Sequence, residues 1–354
     1  MSKVCYISED VLLPIGYGQY RGGAIFLYYA SKHSDCFVIN PYLKNRAKID
    51  RVNGVNVYRV FRFTDSFSGK IINSLILFVR GFFIIKKEKP DLVLATTTTC
   101  YLPAYLIAKL LKIKCKIHVA SSVRTSRLKF FLMKLGYDEI ITIGTHLRDQ
   151  ITPIARAPIR IVPNGIDFDL FFPKARDNCR EQLKLSKQDF LILHVGALER
   201  IKRPEFAIDL FNAFQKKHPG SRLLLVGSGQ EEKKLKIIAK SVNLSKKIDF
   251  RGVVPHNKLS LYYNAANVLL LCSESEGGSP PRVVLEAMAC NTPAISVRQD
   301  DFEKLEQIGV LLAKTKEEYL SKIEQVFFGD YSGNLRNRVS GFSIQKEVSR
   351  VIQL

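Results

Sequence analysis

Three observations predict an α/β protein of two domains, each built on a doubly wound parallel sheet. Short continuous runs of Val, Ile and Leu recur along the chain, helix-length stretches separate them, and the alternation is interrupted once. Strands without polar alternation belong to sheets covered on both faces, and strand–helix alternation belongs to parallel sheets. The interruption runs from Pro163 to Ser186, where Pro163-Asn164-Gly165 and Phe172-Pro173 mark a linker between two series.

The first series opens with a strand at 3–8 and a helix from Gly22 to His33. Strands follow at 36–40 and 55–60. The run 71–85 is a very apolar helix that must end by Pro90, since the residue before a proline leaves the helical region. A buried strand at 91–95, a helix at 101–111 and strands at 115–120 and 139–143 continue it, with a helix at 145–151. The second series starts with a strand at 190–195. Its next helix, 204–217, begins at Pro204, whose fixed φ suits a first helical position. Strands at 222–226, 247–250, 268–272 and 294–297 alternate with helices at 231–242, 257–265 and 282–290. Residues 342–354 read as a last helix. No internal repeat or low-complexity segment interrupts either series.

Composition limits the class. The chain has 354 residues, 46% hydrophobic and 25% charged, and a net charge of +21. That charge implies a polyanionic partner: nucleic acid, an anionic membrane or a phosphorylated substrate. Seven scattered cysteines without a C-x-x-C pair read as reduced thiols in a cytosolic protein. The N-terminus enters a strand directly, so no signal peptide is expected. The run 71–85, flanked by Lys70, Lys86, Lys87 and Lys89, falls short of the ~20 residues of a spanning helix. It reads as a core helix or as an interfacial helix resting on anionic lipid.

Ligands of doubly wound sheets bind outside the carboxyl ends of the strands, so the loops there carry the chemistry. The most informative is 273–297, where Glu274 and Glu276 lead into Gly277-Gly278-Ser279, two prolines, Arg282 and Glu286. Backbone N–H groups at a helix start favour phosphate, and carboxylates accept from sugar and ribose hydroxyls. The pair points to a nucleotide-sugar. The loop from Gly196 sets Arg200, Lys202 and Arg203 before a helix, as a diphosphate site or a solvated basic turn. Gly227-Ser228-Gly229 permits close backbone approach, and Arg251-Gly252-Val253 is expected as a further loop on the same edge. Gly22-Gly23 open the first helix and would reach a phosphate, or form a plain turn. Arg124, Arg127 and Lys129 would hold an anionic acceptor, or face solvent. His194 is a packed residue or a donor contact, and His33, His146, His218 and His256 read as surface or capping residues.

In this order the motifs resemble the retaining glycosyltransferases of the GT-B fold, the family-four group (glycosyltransferase group 1). The resemblance runs from Gly22-Gly23 to Val297 and weakens from Gln299. It rests on Asp138-Glu139-Ile140-Ile141, Pro163-Asn164-Gly165-Ile166-Asp167, Val195-Gly196, Lys202, Val226-Gly227-Ser228-Gly229, Phe250-Arg251-Gly252 and Leu285-Glu286-Ala287-Met288-Ala289. It implies two Rossmann-like doubly wound domains facing a cleft. Residues 1–168 would bind acceptor and 169–340 the nucleotide-sugar, with 341–354 a helix returning to the N-terminal domain. It further implies that Glu286 binds the ribose hydroxyls, Lys202 the diphosphate, Arg251-Gly252-Val253 the base, and the Gly277-Gly278-Ser279 backbone the phosphate and sugar. The nucleotide-sugar is a co-substrate, and no cofactor or metal is expected if Lys202 and a helix terminus stabilise the leaving group.

Three features depart from the family. Nine residues, not seven, separate Glu276 from Glu286, so Glu276 is taken for the sugar contact with Glu274 as alternative. Ala197 stands where an arginine is usual, and Arg200 or Arg203 would substitute. His118 lies inside its strand rather than at the end, where the family's catalytic histidine belongs. The reading is a hexosyl-type glycosyltransferase, acting on a lipid-linked, glycan or other anionic acceptor at the cytosolic face of an anionic membrane. A GT-B epimerase, an inactive binding module and, more remotely, a nucleic-acid binder are the alternatives. The last lacks cations interleaved with aromatics on one face, so no nucleic-acid partner is expected.

Overall fold

The computed structural model describes residues 2–9, 22–42, 47–52, 54–62, 66–123, 126–274, 279–298, 303–331 and 333–353. They form two compact units: Met1–Pro163 with Ile344–Leu354, and Asn164–Ser343. The divisions fall a few residues from 168 and 340 because the linker is bonded into the second unit. Asn164 N–H donates to Ser279 Oγ at 3.3 Å, and Ile166 N–H to Phe342 O at 2.7 Å.

The first unit contains strands β1 (Lys3–Ile7), β2 (Asp35–Tyr42), β3 (Ile49–Val52), β4 (Val55–Arg62), β5 (Leu92–Ala95), β6 (Lys114–Val119), β7 (Glu139–Thr142) and β8 (Ile159–Ile161). Its helices are α1 (Gly22–His33), α2 (Phe67–Glu88), α3 (Thr98–Leu111), α4 (Arg127–Leu132) and α5 (Thr145–Ile151). Among the described residues the sheet order is β3-β4-β2-β1-β5-β6-β7-β8. Alternate residues of each strand serve opposite faces. Cys5, Val93 and Ile117 pack beneath α2, α3 and α4, whereas Val4, Leu92 and Ile141 pack beneath α1.

This sheet is not wholly parallel. β3, absent from the sequence reading, pairs antiparallel with β4 as an edge hairpin. Asn53-Gly54 between them is the hairpin signal, and Gly54 takes φ +83°. Helix α2 also runs beyond 71–85 at both ends. Ser66 Oγ caps it by accepting from Gly69 N–H, and Lys89 closes it in the left-handed region. At 22 residues α2 is long and apolar enough to cross a membrane, yet its Leu77 and Ile85 are wholly buried in the core.

The second unit holds β9 (Phe190–Val195), β10 (Ser221–Val226), β11 (Ile248–Gly252), β12 (Val268–Leu270), β13 (Ala294–Val297) and β14 (Leu311–Ala313). Its helices are α6 (Arg176–Gln182), α7 (Pro204–Lys217), α8 (Glu232–Ser241), α9 (His256–Ala265), α10 (Arg282–Ala289), α11 (Glu303–Gln307), α12 (Lys316–Phe327) and α13 (Leu335–Arg338). All pairings are parallel, in the order β11-β10-β9-β12-β13-β14. Every residue of β9 is buried. The chain steps outward from β9 to β11 and then crosses to β12 on the other side of β9, so a topological switch point lies between β9 and β12. The last helix, α14 (Ile344–Ile352), packs against α1 in the first unit through Ile344, Val348 and Val351.

Candidate active site

Four segments at the carboxyl edge of the second sheet are joined by backbone hydrogen bonds. Gly227 N–H donates to Gly252 O at 2.8 Å, Leu198 N–H to Ser228 O at 3.0 Å, and Glu274 N–H to Ile201 O at 2.9 Å. The end of β11 and the loops after β10, β9 and β12 therefore form one continuous rim. Its glycines are required by backbone contact. A Cβ at Gly227 would lie 1.8 Å from Gly196 O, and one at Gly229 would lie 2.3 Å from Leu198 O. Arg251 and Gly252, expected in a loop, belong to β11, where a register shift at Leu225/Val226 lengthens the pairing. Arg251 pairs with Asp249 at 3.4 Å and donates to Leu183 O at 3.4 Å, while Val253 is exposed.

After Gly196 the chain enters a 3-10 turn, Arg200–Lys202, with Arg200 exposed and Lys202 half-buried. Arg203 does not complete this set. It adopts φ 49°, and its guanidinium stacks 4.4 Å from the Phe206 ring. Beneath the turn, His194 is fully buried and its Nδ1 lies 3.1 Å from Leu270 O. Burial holds its pKa down to about 4, so the ring is neutral, with Nδ1 carrying the proton that it donates to Leu270 O.

Glu286, on the second turn of α10, is buried with both oxygens engaged. Oε2 accepts from Tyr263 O–H at 2.8 Å, and Oε1 lies 3.0 Å from His256 Nε2. Burial keeps the Tyr263 phenol in its protonated, donating form. The His256 ring is in turn 5.1 Å from Phe171. His256 is thus not the surface or capping residue expected from the sequence; its place at the start of α9, after Pro255, aims it at α10. Each carboxylate oxygen has two lone pairs, so each retains one acceptor position beyond its protein partner. The start of α10 is held by the Pro163-Asn164-Gly165 segment. Ser279 Oγ accepts from Asn164 N–H, Asn164 Nδ2 donates to Pro280 O at 3.4 Å, and Arg282 donates to Gly165 O. Asp167 and Asp169 have the spacing of a metal-binding pair. Asp167 Oδ1, however, accepts from the N–H groups of Asp169 and Leu170 at 2.9 and 3.2 Å, as a turn cap. Among the described residues no group of three or more His, Cys, Asp or Glu side chains is placed to hold a metal ion.

In the first unit Gly22 and Gly23 form the first residues of α1. His118 is half-buried within β6, itself paired with Ile141 of β7 while its neighbour Ile117 pairs with β5, and its carbonyl accepts from Tyr101 O–H at 3.0 Å. The loop after β6 is held from below. Ser122 O–H donates to Gln150 Oε1 at 2.8 Å, and Lys129 Nζ donates to Ser121 O, Ser121 Oγ and Ser122 O at 2.6, 2.8 and 3.2 Å. Lys129 therefore points inward and is a brace of this loop, not an open anion site; Arg127 is exposed at the start of α4. Glu276, Gly277, Gly278 and Arg124 lie outside the described residues.

Two doubly wound units, the second with a cationic turn and a carboxylate-bearing helix at its switch point, define the GT-B fold. Sucrose-phosphate synthase from Thermosynechococcus elongatus matches 100% of this chain and 98% of its own with a TM-score of 0.85 at 18% identity, a likeness of fold. Residues 175–340 match the family described as glycosyl transferases group 1, and the C-terminal unit carries a domain of that family. The resemblance seen in the motifs is borne out there. The D-inositol 3-phosphate glycosyltransferase of Acidothermus cellulolyticus is 33% identical over 149 residues, 40% of this chain and 33% of the relative. The alpha-monoglucosyldiacylglycerol synthase of Acholeplasma laidlawii is 28% identical over 146 residues, 40% of this chain and 36% of the relative. The matched segment thus spans about a third of these relatives.

Gly229→Ala is expected to destabilise the protein by about 2 kcal/mol or more, because peptide atoms of Leu198 must move; urea unfolding measures it. Tyr263→Phe leaves a buried carboxylate oxygen short of a donor and should cost about 1–3 kcal/mol in the same assay. Burial lowers the Lys129 pKa from 10.5 to about 8. Between those values the unfolded chain binds more protons than the folded one, so this group makes stability rise with pH across the window. Urea melts over that range should show Lys129→Met losing the rise; an unchanged slope removes Lys129 as its source.

Proposed function

We propose that the chain transfers a sugar from a nucleotide-diphosphate sugar to a lipid-linked, glycan or other anionic acceptor, with retention and without a metal ion. The observation that carries this reading is the switch point between β9 and β12. There the turn bearing Arg200 and Lys202 is bonded to the loop that leads into α10 and its buried Glu286. Cleaving a glycosyl–phosphate bond puts negative charge on the diphosphate, and fixed cations with helix N–H groups lower that barrier. Lys202 and Arg200 supply the cations, with the backbone before α10 facing the phosphate and sugar. The two remaining acceptor positions of Glu286 match the two hydroxyls of a ribose. Glu276 serves the donor sugar. The first unit takes the acceptor through Arg124 and Arg127, with His118 as the catalytic histidine and Gly22-Gly23 at the start of α1.

A net charge of +21 and the partial similarity to a glucosyldiacylglycerol synthase support a lipid-linked acceptor and a peripheral position on the cytosolic face of an anionic membrane.

Thermal unfolding with UDP-, GDP- and ADP-sugars, without added metal, tests the donor site. One nucleotide class should raise Tm, and Glu286→Ala should abolish the shift. No shift with any class would overturn the reading. Lys202→Ala should lower turnover by about 100-fold or more at unchanged Tm; unchanged turnover removes Lys202 from the site.

A further inference from the structure

We infer that the outward sides of α2, α3 and α4 form one docking face, and that its occupant is an anionic bilayer. The inference deepens the membrane reading above and is independent of the donor site. Helix α2 turns Asn73, Leu77, Gly81 and Ile85 inward, at a spacing of four. Its opposite side would be charged in a helix meant for water. Instead Leu75, Val79 and Phe83 are 62%, 55% and 66% exposed. The pattern continues on the neighbours: Leu110 of α3 is 63% exposed and Phe131 of α4 is 61% exposed. All three helices cover the same side of the sheet, α2 against α3 and α3 against α4. Their outward residues therefore share one side of the unit, and exposed apolar residues gathered on one side mark an interaction surface.

Charge selects the occupant. Residues 67–87 and 92–137 contain no Asp or Glu, whereas Lys70, Lys86, Lys87, Lys109, Lys112 and Lys134 lie on or beside these helices. Between the two segments Glu88 is paired with Lys3 at 2.7 Å. The acids that flank these segments are few, with Asp91 accepting from the Lys3 N–H, so the rim is predominantly cationic and complements acyl chains beneath anionic headgroups. A second copy of the chain would set like charges against each other. Because Leu77 and Ile85 are anchored in the core, α2 lies along such a surface and does not cross it.

Co-sedimentation of the full chain with vesicles of phosphatidylcholine, alone or mixed with phosphatidylglycerol, tests this. The protein should bind the mixed vesicles and release with salt. Phe83→Ser, Leu110→Ser and Phe131→Ser should each weaken binding roughly tenfold, since each removes a large apolar side chain from the contact. Binding unaffected by the α3 and α4 substitutions would overturn the three-helix face. No binding to mixed vesicles, with a concentration-dependent dimer lost in Phe83→Ser, would assign the face to a second copy. Nucleotide-sugar thermal shifts should be unchanged in all three variants. Absence of that shift in the wild type would overturn the transferase reading while the vesicle result stands.

Discussion

Peptide-to-peptide contact between the loops after β9 and β10 is the constraint on which the carboxyl edge of the second sheet depends. Gly227 and Gly229 lie so close to Gly196 and Leu198 that no side chain fits between them. Without that contact the four segments would be separate, mobile connections. With it, Lys202 and the approach to α10 are held by the same backbone network. Transition-state charge is stabilised best by groups that need not reorganise, and on the function proposed above a rim stitched through main-chain atoms would meet that requirement.

Both units also hold buried ionisable groups through dipolar partners, Glu286 and Lys129 among them. Glu286 has a phenol and an imidazole, and Lys129 has two carbonyls and a hydroxyl. Removing a charge from water is costly unless hydrogen bonds replace its hydration. Dipolar partners meet that cost and leave the net charge in place. On Glu286, whose two oxygens each have one protein partner among the described residues, this leaves the acceptor positions that the proposed function assigns to a ribose. Where every proton is engaged, as on Lys129, the residue holds its loop.

The architecture was legible because parallel strands buried on both faces are written as unbroken apolar runs; 190–195 and 204–217 agree with the structure to the residue. The β3–β4 hairpin was missed although Asn53-Gly54 is a strong turn signal, because Ile49–Val52 is short and half polar. Helix α2 was read too short because Ser66 and Lys89 act through cap geometry, not hydropathy. At the site, Gly196, Lys202 and Glu286 stood out by their place after the strands and by the order of the family's motifs. His256 and Tyr263 did not, because their bond to Glu286 joins α9 to α10 and has no local pattern. Arg203 and Lys129 look like their cationic neighbours in sequence. Only packing shows that one stacks on Phe206 and the other points inward.

The position of α14 bears on how the chain is made. Its Ile344, Val348 and Val351 complete the core over α1, β1 and β5, yet they follow the whole second unit in chain order. A ribosome emits the residues of the first sheet before the second unit and the helix that seals one face of it after that unit. The second unit, contiguous in sequence, has all its parts while that helix is still being synthesised. The first unit is therefore completed only after the second, and until then its Tyr6, Phe26 and Val38 surface lacks the cover of α14.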